Sequence, residues 1–504
     1  MCAASRRTLS CSSVHRANCE RLLFPVLNAL GPLLIILAAA QLLPIAIAYR
    51  DGENVLSEFF TSAAISLLVG LLFLFSTKRF KRELEPRDGF LLVTLSWFTA
   101  AVFGSIPLVL LLPEVPYYRL FFEAVSCLTT TGATALTNLA DLPLSLNYWR
   151  CLLSWLGGMG IIVLAVAILP LLGVGGAQLF KVENSNLFKD DRLTPRIADT
   201  AKALYGIYIL ASAACVTAYH WAGMNWDDAV MFMFTTMSLS GITPYDQSIG
   251  YFNSPAIEMV AVAFIVFSGF NFSLHFTAWR QRSISAYFTD IEARSWLFVL
   301  LIGISIVFGV LTFNHVYPTW EITLRHAVFN VASLFSTTGY TTENYELWPS
   351  SLGFLLLIGS LFASCSGSTG GGVKMIRMLI FVKQAVLCLH TLLRPRDFLP
   401  LRLGKHTISN NLAANVSAFF ALHVSVVLVC TLLIMFSGVN LTEAFSTVLA
   451  CIANTGPGLG SVGPAGNYAS CNPMHLWVGS FCMFVGRLEL FTVFVIFTRS
   501  FWRS

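Results

Sequence analysis

Apolar residues along the chain form long runs that alternate with shorter ones. Ten runs are long enough to cross about 30 Å of hydrocarbon, whereas four runs of roughly 10–14 residues are too short. After two initial spans, the order long, short, long occurs four times. The predicted spans are Phe24–Tyr49, Val55–Thr77, Gly89–Leu112, Trp149–Leu172, Ala203–Ala222, Ala256–Trp279, Trp296–Phe313, Ser351–Leu379, Leu412–Phe436 and Met474–Phe497.

The short runs are interpreted as re-entrant segments that enter the membrane and turn back. They are Tyr118–Leu128, Asp228–Leu239, Leu324–Ser336 and Leu441–Ala453. Such a segment exposes backbone polar groups, which is tolerated only where protein or a water-filled cavity surrounds it. We therefore predict an all-α polytopic membrane protein in which two N-terminal spans precede four repeats of span, re-entrant pore loop and span around a central pore.

The repeats also define the predicted domain organisation. Residues 1–88 form an N-terminal cytoplasmic segment with the first two spans. The four pore repeats are predicted at residues 89–195, 196–290, 291–405 and 406–504, and the third has a broken last helix.

Composition agrees with a membrane protein. Of the 504 residues, 56% are hydrophobic and 11% are charged, whereas a soluble protein has nearer 25% charged residues. The basic residues are dispersed, so we expect the lipid bilayer as a partner and no nucleic acid. The twelve cysteines lack the spacing of a metal site or a disulfide framework. Because paired histidines and acidic dyads are also missing, we expect no enzyme.

The distribution of positive charge predicts the orientation. The chain carries 31 lysines and arginines. If the N terminus lies inside, all but five fall in inside segments, a bias typical of cytoplasmic loops. The five others are Arg50, Arg119, Arg150, Arg325 and the mid-span Arg487. We therefore expect a multi-pass protein of the cytoplasmic (inner) membrane with both termini cytoplasmic.

A hydroxyl residue followed by glycine closes each short run. A cation that sheds its water needs oxygen ligands, and backbone carbonyls supply them without adding charge. Glycine reaches the required backbone angles at least cost. We predict a cation filter formed by main-chain groups of Thr130, Thr131, Gly132, Leu239, Ser240, Gly241, Thr337, Thr338, Gly339, Asn454, Thr455 and Gly456. The alternative, ordinary packing glycines with Ser and Thr bonding between helices, accounts poorly for four copies in equivalent places.

The last span of the third repeat contains a glycine-rich interruption. Three consecutive glycines, Gly370 to Gly372, do not continue a helix comfortably. We predict a broken helix whose flexible loop blocks or opens the pore, and a plain kink without gating stays open as an alternative. A phosphate-binding loop is disfavoured because Val373 separates the last glycine from Lys374.

Two interpretations are open for the mid-span arginine, and two for the acidic residues near the short runs. A pore-facing Arg487 would tune cation passage, since intramembrane charges usually face a cavity or a partner. Pairing with Glu489 is the alternative, although residues i and i+2 do not share a helix face. Four acidic residues would either concentrate cations at the pore mouth or cap the short helices: Glu123, Asp227, Asp228 and Glu443.

Five motifs together resemble the TrkH family, the membrane subunits of bacterial Trk potassium uptake systems, whose superfamily includes KtrB and the plant HKT transporters. The resemblance covers roughly 24–501. The motifs are Thr129-Thr130-Thr131-Gly132-Ala133-Thr134, Ser154-Trp155-Leu156-Gly157-Gly158-Met159-Gly160, Gly367-Ser368-Thr369-Gly370-Gly371-Gly372, Asn454-Thr455-Gly456-Pro457-Gly458-Leu459-Gly460 and Gly486-Arg487-Leu488-Glu489.

The resemblance implies potassium uptake through a selective, gated pore in each subunit of a homodimer, with K⁺ bound at the filter residues. It also implies a cytoplasmic TrkA-like regulatory ring that binds NAD(H) or ATP, so no cofactor is expected in this chain. The implied gate residues are Gly367, Ser368, Thr369, Gly370, Gly371, Gly372, Lys374 and Arg487.

One alternative function stays open at this point. A symporter coupling K⁺ to H⁺ or Na⁺ would have a midplane carboxylate pair and broken helices in matching halves. The sequence predicts a single broken helix and one mid-span Glu, so the gated pore is favoured.

Overall fold

The fold is almost entirely helical. A computed structural model describes residues 5–80, 85–163, 193–362, 364–396, 399–404 and 406–503. Its α-helices are Ser5–Ala40, Leu42–Asp51, Leu56–Ser76, Pro86–Leu111, Tyr117–Leu128, Leu144–Val163, Leu193–Trp221, Trp226–Met237, Pro255–Gly269, Phe272–Gln281, Ser285–Thr289, Ile291–Phe313, Trp320–Phe335, Ser350–Leu361, Met375–Leu393, Asn410–Met435, Leu441–Ala453, Pro473–Leu488, Leu490–Ile496 and Arg499–Arg503. A two-stranded antiparallel sheet pairs Arg402–Leu403 with His406–Thr407.

The chain divides into two compact units, Met1–Pro113 with Phe491–Ser504, and Glu114–Leu490. In the first unit, helices Ser5–Ala40 and Leu56–Ser76 meet at two glycines. A Cβ on Gly70 would lie 3.0 Å from the carbonyl oxygen of Gly31, and one on Gly31 would lie 2.9 Å from that of Gly70. Small residues at such crossings let membrane helices approach closely.

Helix lengths support a multi-pass membrane protein. Seven of the described helices are long and apolar enough to cross a membrane, and two bent helix pairs raise the number to nine. Eight of these nine correspond to predicted spans. The ninth, Met375–Leu393, shares only residues 375–379 with the predicted span Ser351–Leu379, which instead covers the shorter helix Ser350–Leu361 and the loop after it. The predicted span Trp149–Leu172 appears as helix Leu144–Val163, and its predicted end lies outside the described residues.

The second unit contains the four short helices, Tyr117–Leu128, Trp226–Met237, Trp320–Phe335 and Leu441–Ala453. Three of them begin with a capping side chain. Asn225 accepts a hydrogen bond from the backbone N–H of Asp228, Thr319 from that of Ile322, and Asn440 from that of Glu443. The final two turns of all four short helices are buried on every side, which is the environment that a re-entrant segment requires.

Breaks in the long helices are more numerous than the sequence predicted. The expected break in the third repeat is confirmed, since one helix ends at Leu361 and the next begins at Met375. The prediction of a single broken helix was wrong. Helices Pro255–Gly269 and Phe272–Gln281 form a pair bent by 93°, and a single residue, Glu489, separates helix Pro473–Leu488 from the next helix. Neither of these two breaks was predicted, because each occupies only one or two residues and contains no run of glycines.

Candidate filter and gate

Each short helix ends in the same hydrogen-bonded turn. The N–H of the residue before the filter glycine bonds to a carbonyl oxygen five residues earlier, which is the outer bond of a Schellman cap. The bonds run from Thr131 N to Ser126 O at 2.9 Å, from Ser240 N to Thr235 O at 2.9 Å, from Thr338 N to Ser333 O at 2.8 Å and from Thr455 N to Ala450 O at 2.9 Å. Four unlike sequences therefore adopt one backbone geometry.

The residue two positions before each filter glycine has a left-handed backbone conformation. The φ angles are 54° at Thr130, 55° at Leu239, 64° at Thr337 and 54° at Asn454. A left-handed backbone is unfavourable for branched side chains, and a residue held there costs on the order of 1–3 kcal/mol. The sequence did not predict the left-handed conformation of these residues, because unusual backbone angles were expected only at the glycines. Asparagine tolerates this conformation, but strain at Thr130, Leu239 and Thr337 indicates that the turn geometry itself is required.

The four glycines pack into a closed ring. A Cβ built on Gly132 would lie 2.2 Å from Ser240 O, one on Gly241 2.1 Å from Thr338 O, one on Gly339 2.0 Å from Thr455 O, and one on Gly456 2.6 Å from Thr131 O. These distances are too short for any real Cβ, so each loop contacts the carbonyl of the next repeat and the fourth returns to the first. We call these glycines and the carbonyls of Thr131, Ser240, Thr338 and Thr455 the glycine ring.

Two cavities accompany the predicted filter and gate. The first, which we call the vestibule, is lined by all four ring glycines. The second, which we call the basic cavity, is lined by Gly370, Gly371, Gly372, Lys374, Arg377 and Arg487 among others. The predicted filter and gate residues therefore line different cavities.

A buried ion pair supports the first filter loop. Arg150 Nη2 lies 2.7 Å from Glu123 Oε1, and both side chains are fully buried. Glu123 Oε2 accepts the N–H of Ala135 at 2.8 Å, while Arg150 Nη1 donates to the carbonyl oxygen of Thr243 at 3.1 Å. The pair therefore links the loop after Gly132 to the loop of the second repeat. A carboxylate buried in this way neither attracts cations at the mouth nor caps its helix, so both readings of Glu123 were wrong.

The other three acidic residues are also engaged by neighbouring side chains. Tyr148 donates to Asp227 at 2.7 Å and Tyr245 donates to Asp228 at 3.0 Å. Glu443 accepts a hydrogen bond from the hydroxyl of Ser461. Asp228 and Glu443 therefore hold a loop to the start of a short helix, whereas Asp227 contacts helix Leu144–Val163.

The glycine-rich loop of the third repeat is docked under the filter turns. The N–H of Gly371 donates to Thr337 Oγ1 at 2.8 Å, and Thr369 Oγ1 donates to the carbonyl of Met237 at 3.0 Å. Gly367 O accepts the N–H of Phe272 at 3.1 Å, where the bent helix pair breaks. The loop thus contacts the second and third filter turns directly.

Basic side chains surround this loop. Arg487 is 2% exposed, and its Nη1 donates to the carbonyl of Thr369 at 3.0 Å. Lys374 Nζ donates to Gly370 O at 3.0 Å. Glu489 accepts a hydrogen bond from Arg377 at 2.7 Å, so this salt bridge joins Glu489 to the third repeat. Sequence reasoning missed the pair because 112 residues separate its members.

Tyr468 joins the first and fourth filter loops. Its N–H donates to the carbonyl oxygen of Thr134 at 2.8 Å, and its hydroxyl donates to that of Gly456 at 2.9 Å. The residue was not singled out from the sequence, where a lone tyrosine in a loop carries no signal.

Known proteins account for nearly the whole chain. The family model described as TrkH, cation transport protein, matches residues 55–504. The chain belongs to the TrkH family. Among curated TrkH-family relatives, the Trk system potassium uptake protein TrkH of Halomonas elongata is 41% identical over 95% of this chain and 99% of its own length. The corresponding Escherichia coli K12 protein is 40% identical over the same shares, and TrkG of that strain is 35% identical over 95% of this chain and 98% of its own.

The TrkH fold is also shown by a solved structure. The crystal structure of the potassium transporter TrkH from Vibrio parahaemolyticus matches with a TM-score of 0.89 and 37% identity, over 95% of this chain and all of that one. The polytopic helical architecture predicted from the sequence is therefore confirmed.

Proposed function

We propose that the chain is the ion-translocating subunit of a Trk-type potassium uptake system, with K⁺ passing through the glycine ring. The observation that carries this proposal is the closed circuit of four carbonyls, each against the glycine of a neighbouring repeat. Carbonyls arranged around one axis replace the hydration shell of a monovalent cation. The names of the relatives, potassium uptake proteins, supply the identity of the ion.

The gate in this proposal is the loop from Gly367 to Gly372 together with Lys374 and Arg487. The loop contacts the filter turns from the side of the basic cavity. The guanidinium of Arg487 adds a positive charge beside it, which repels a permeating cation. Opening then requires the loop to leave Thr337 and Met237, and the side chain of Arg487 to move away from the ion path.

Assembly and orientation complete the proposal. We place both termini in the cytoplasm because of the charge bias of the loops. A homodimer and a cytoplasmic TrkA-like ring, carrying NAD(H) or ATP, follow from the family resemblance. Light scattering of the purified chain, alone and with such a ring protein, tests this part. A monomer that binds no ring protein would contradict it.

Flux through purified protein tests the transport proposal. The chain is reconstituted in liposomes loaded with KCl, and ⁸⁶Rb⁺ uptake is followed with and without the ring protein. We expect uptake that excess external K⁺ inhibits strongly and excess Na⁺ inhibits weakly. Equal inhibition by both ions would contradict a potassium-selective ring.

A symporter is the second candidate because helices break in the second, third and fourth repeats. Paired broken helices are typical of secondary transporters. Reversal potentials measured across separate H⁺ and Na⁺ gradients distinguish the two. A potential that follows the K⁺ gradient alone supports the pore, whereas one that shifts with either other gradient supports coupling.

A further inference from the structure

Three metal-ligand residues converge at the outer end of the fourth repeat. Glu443 lies in the first turn of helix Leu441–Ala453, Cys471 follows the short turn Tyr468–Ser470, and His475 lies in the first turn of helix Pro473–Leu488. Their ligand atoms all lie within 4.8 Å of one another. Cys471 and His475 are buried, and Glu443 is half-buried.

The imidazole of His475 has the arrangement of a metal ligand, with one ring nitrogen hydrogen-bonded and the other without a partner among the described residues. Its Nε2 lies 2.9 Å from Thr447 Oγ1, and its Nδ1 is buried without a hydrogen-bond partner in the described part of the chain. Histidines that bind metals usually donate their other ring N–H to a neighbouring oxygen, which fixes the ring. A buried nitrogen with no partner is costly, and a bound cation at Nδ1 would remove that cost.

We propose that Glu443, Cys471 and His475 bind one divalent transition metal ion of the Zn²⁺ class. Thiolate, imidazole and carboxylate together select zinc over calcium or magnesium, which prefer oxygen ligands alone. Zinc–ligand distances of about 2.0–2.3 Å place donor atoms roughly 3.3–3.6 Å apart in a tetrahedron, so the side chains need to move by only about 1 Å. Water fills the fourth position, and the thiol of Cys471 releases its proton to solvent on binding.

The site adjoins the glycine ring through Tyr468. The rings of Tyr468 and His475 lie 6.1 Å apart in an edge arrangement, and the hydroxyl of Tyr468 donates to the carbonyl of Gly456. A metal bound at Cys471 ties the turn that carries Tyr468 to the start of the fourth short helix. The metal therefore stabilises the outer support of the fourth filter loop.

Cobalt spectroscopy on the purified full-length protein tests the site independently of transport. Co²⁺ bound to a thiolate gives an absorption band in the near ultraviolet. We expect one equivalent of Co²⁺ per chain to produce this band in the unmodified protein and in Cys388→Ser, which removes an exposed thiol on another helix. Cys471→Ser is expected to abolish the band. An unmodified protein without the band, or a band that survives Cys471→Ser, would overturn the proposal.

Thermal unfolding with Zn²⁺ provides a second readout. At about 100 times its Kd, a ligand specific for the folded state raises the Tm, and we expect a rise of at least about 2 °C. The rise should disappear in Cys471→Ser and shrink in Glu443→Gln, with at least tenfold weaker binding in the latter. An equal rise in all three proteins would show that Zn²⁺ binds elsewhere and would refute the assignment. Because neither assay measures flux, failure here is distinct from failure of the potassium proposal.

Discussion

The glycine ring and the gate below it are built on opposite principles. The ring repeats one turn four times, uses backbone groups and contains no charged side chain. The gate uses a single loop from the third repeat and an arginine from the fourth, with charges concentrated around them. An ion must be surrounded to lose its water, so the ring needs every repeat. One obstacle is enough to close a pore, so the gate needs only one.

Gly132→Ala disrupts the glycine ring, and we expect it to change transport more than any other substitution considered. The new Cβ would lie 2.2 Å from the carbonyl of Ser240, at a φ of +86°. We expect at least a tenfold loss of preference for K⁺ over Na⁺ in ⁸⁶Rb⁺ competition assays. The matched control is Gly309→Ala, where nothing lies within 4 Å of the added Cβ. Unchanged selectivity in Gly132→Ala would show that the ring does not select the ion.

Glu123→Gln tests how the ring is supported. It leaves the fully buried Arg150 without its counter-charge, and breaking a buried pair in this way costs about 3–5 kcal/mol. We expect a large drop in Tm, which the double substitution Glu123→Gln with Arg150→Met should partly restore. Asp51→Asn, at an exposed ion pair, is the control and should leave Tm unchanged. A similar Tm for Glu123→Gln and Asp51→Asn would refute the proposal that the Glu123–Arg150 pair supports the first filter loop.

Arg487→Gln tests the gate side. The guanidinium holds the loop through Thr369 O, and a hydrogen bond to a charged group contributes about 1.5–3 kcal/mol. We expect ⁸⁶Rb⁺ flux to rise about tenfold while the preference for K⁺ over Na⁺ stays the same. Unchanged flux would show that Arg487 does not hold the gate closed. A lower preference for K⁺ over Na⁺ would show that the ring and the gate are not separate.

Thr337→Val makes the smallest expected change. It deletes the hydroxyl that accepts the N–H of Gly371 but keeps the branched shape at this left-handed position. One neutral hydrogen bond contributes about 0.5–1.5 kcal/mol, so we expect a flux increase of roughly two- to tenfold, below that of Arg487→Gln. Thr130→Val is the matched control, because the Thr130 hydroxyl has no hydrogen-bond partner among the described residues. Equal flux in the two variants would contradict loop docking at Thr337.

Sequence reasoning found the features that are local in the chain. Short apolar runs ending in a hydroxyl and a glycine predicted the four turns, and a run of three glycines predicted the broken third-repeat helix. The break after Gly269 was missed, although Asn271 caps the following helix by accepting the N–H of Ser273. An Asn two residues before a Ser and two after a Gly was the available signal.

The missed parts depend on contacts between distant residues. Glu123 and Arg150 are 27 residues apart, and Arg377 and Glu489 are 112 apart. No periodicity connects such pairs, because burial in a common fold creates them. The same is true of Glu443 and His475, whose approach turns an unremarkable cysteine into a candidate metal ligand. The cation-binding and gating roles themselves stay predictions.

In the proposed pore, four main-chain carbonyls hold a dehydrated cation on one axis. Anomalous diffraction from crystals of this chain grown in RbCl would locate such an ion. We expect a rubidium peak inside the glycine ring, within coordination distance of the carbonyl oxygens of Thr131, Ser240, Thr338 and Thr455. A ring without rubidium, with the ion bound instead to side chains of the vestibule, would contradict it.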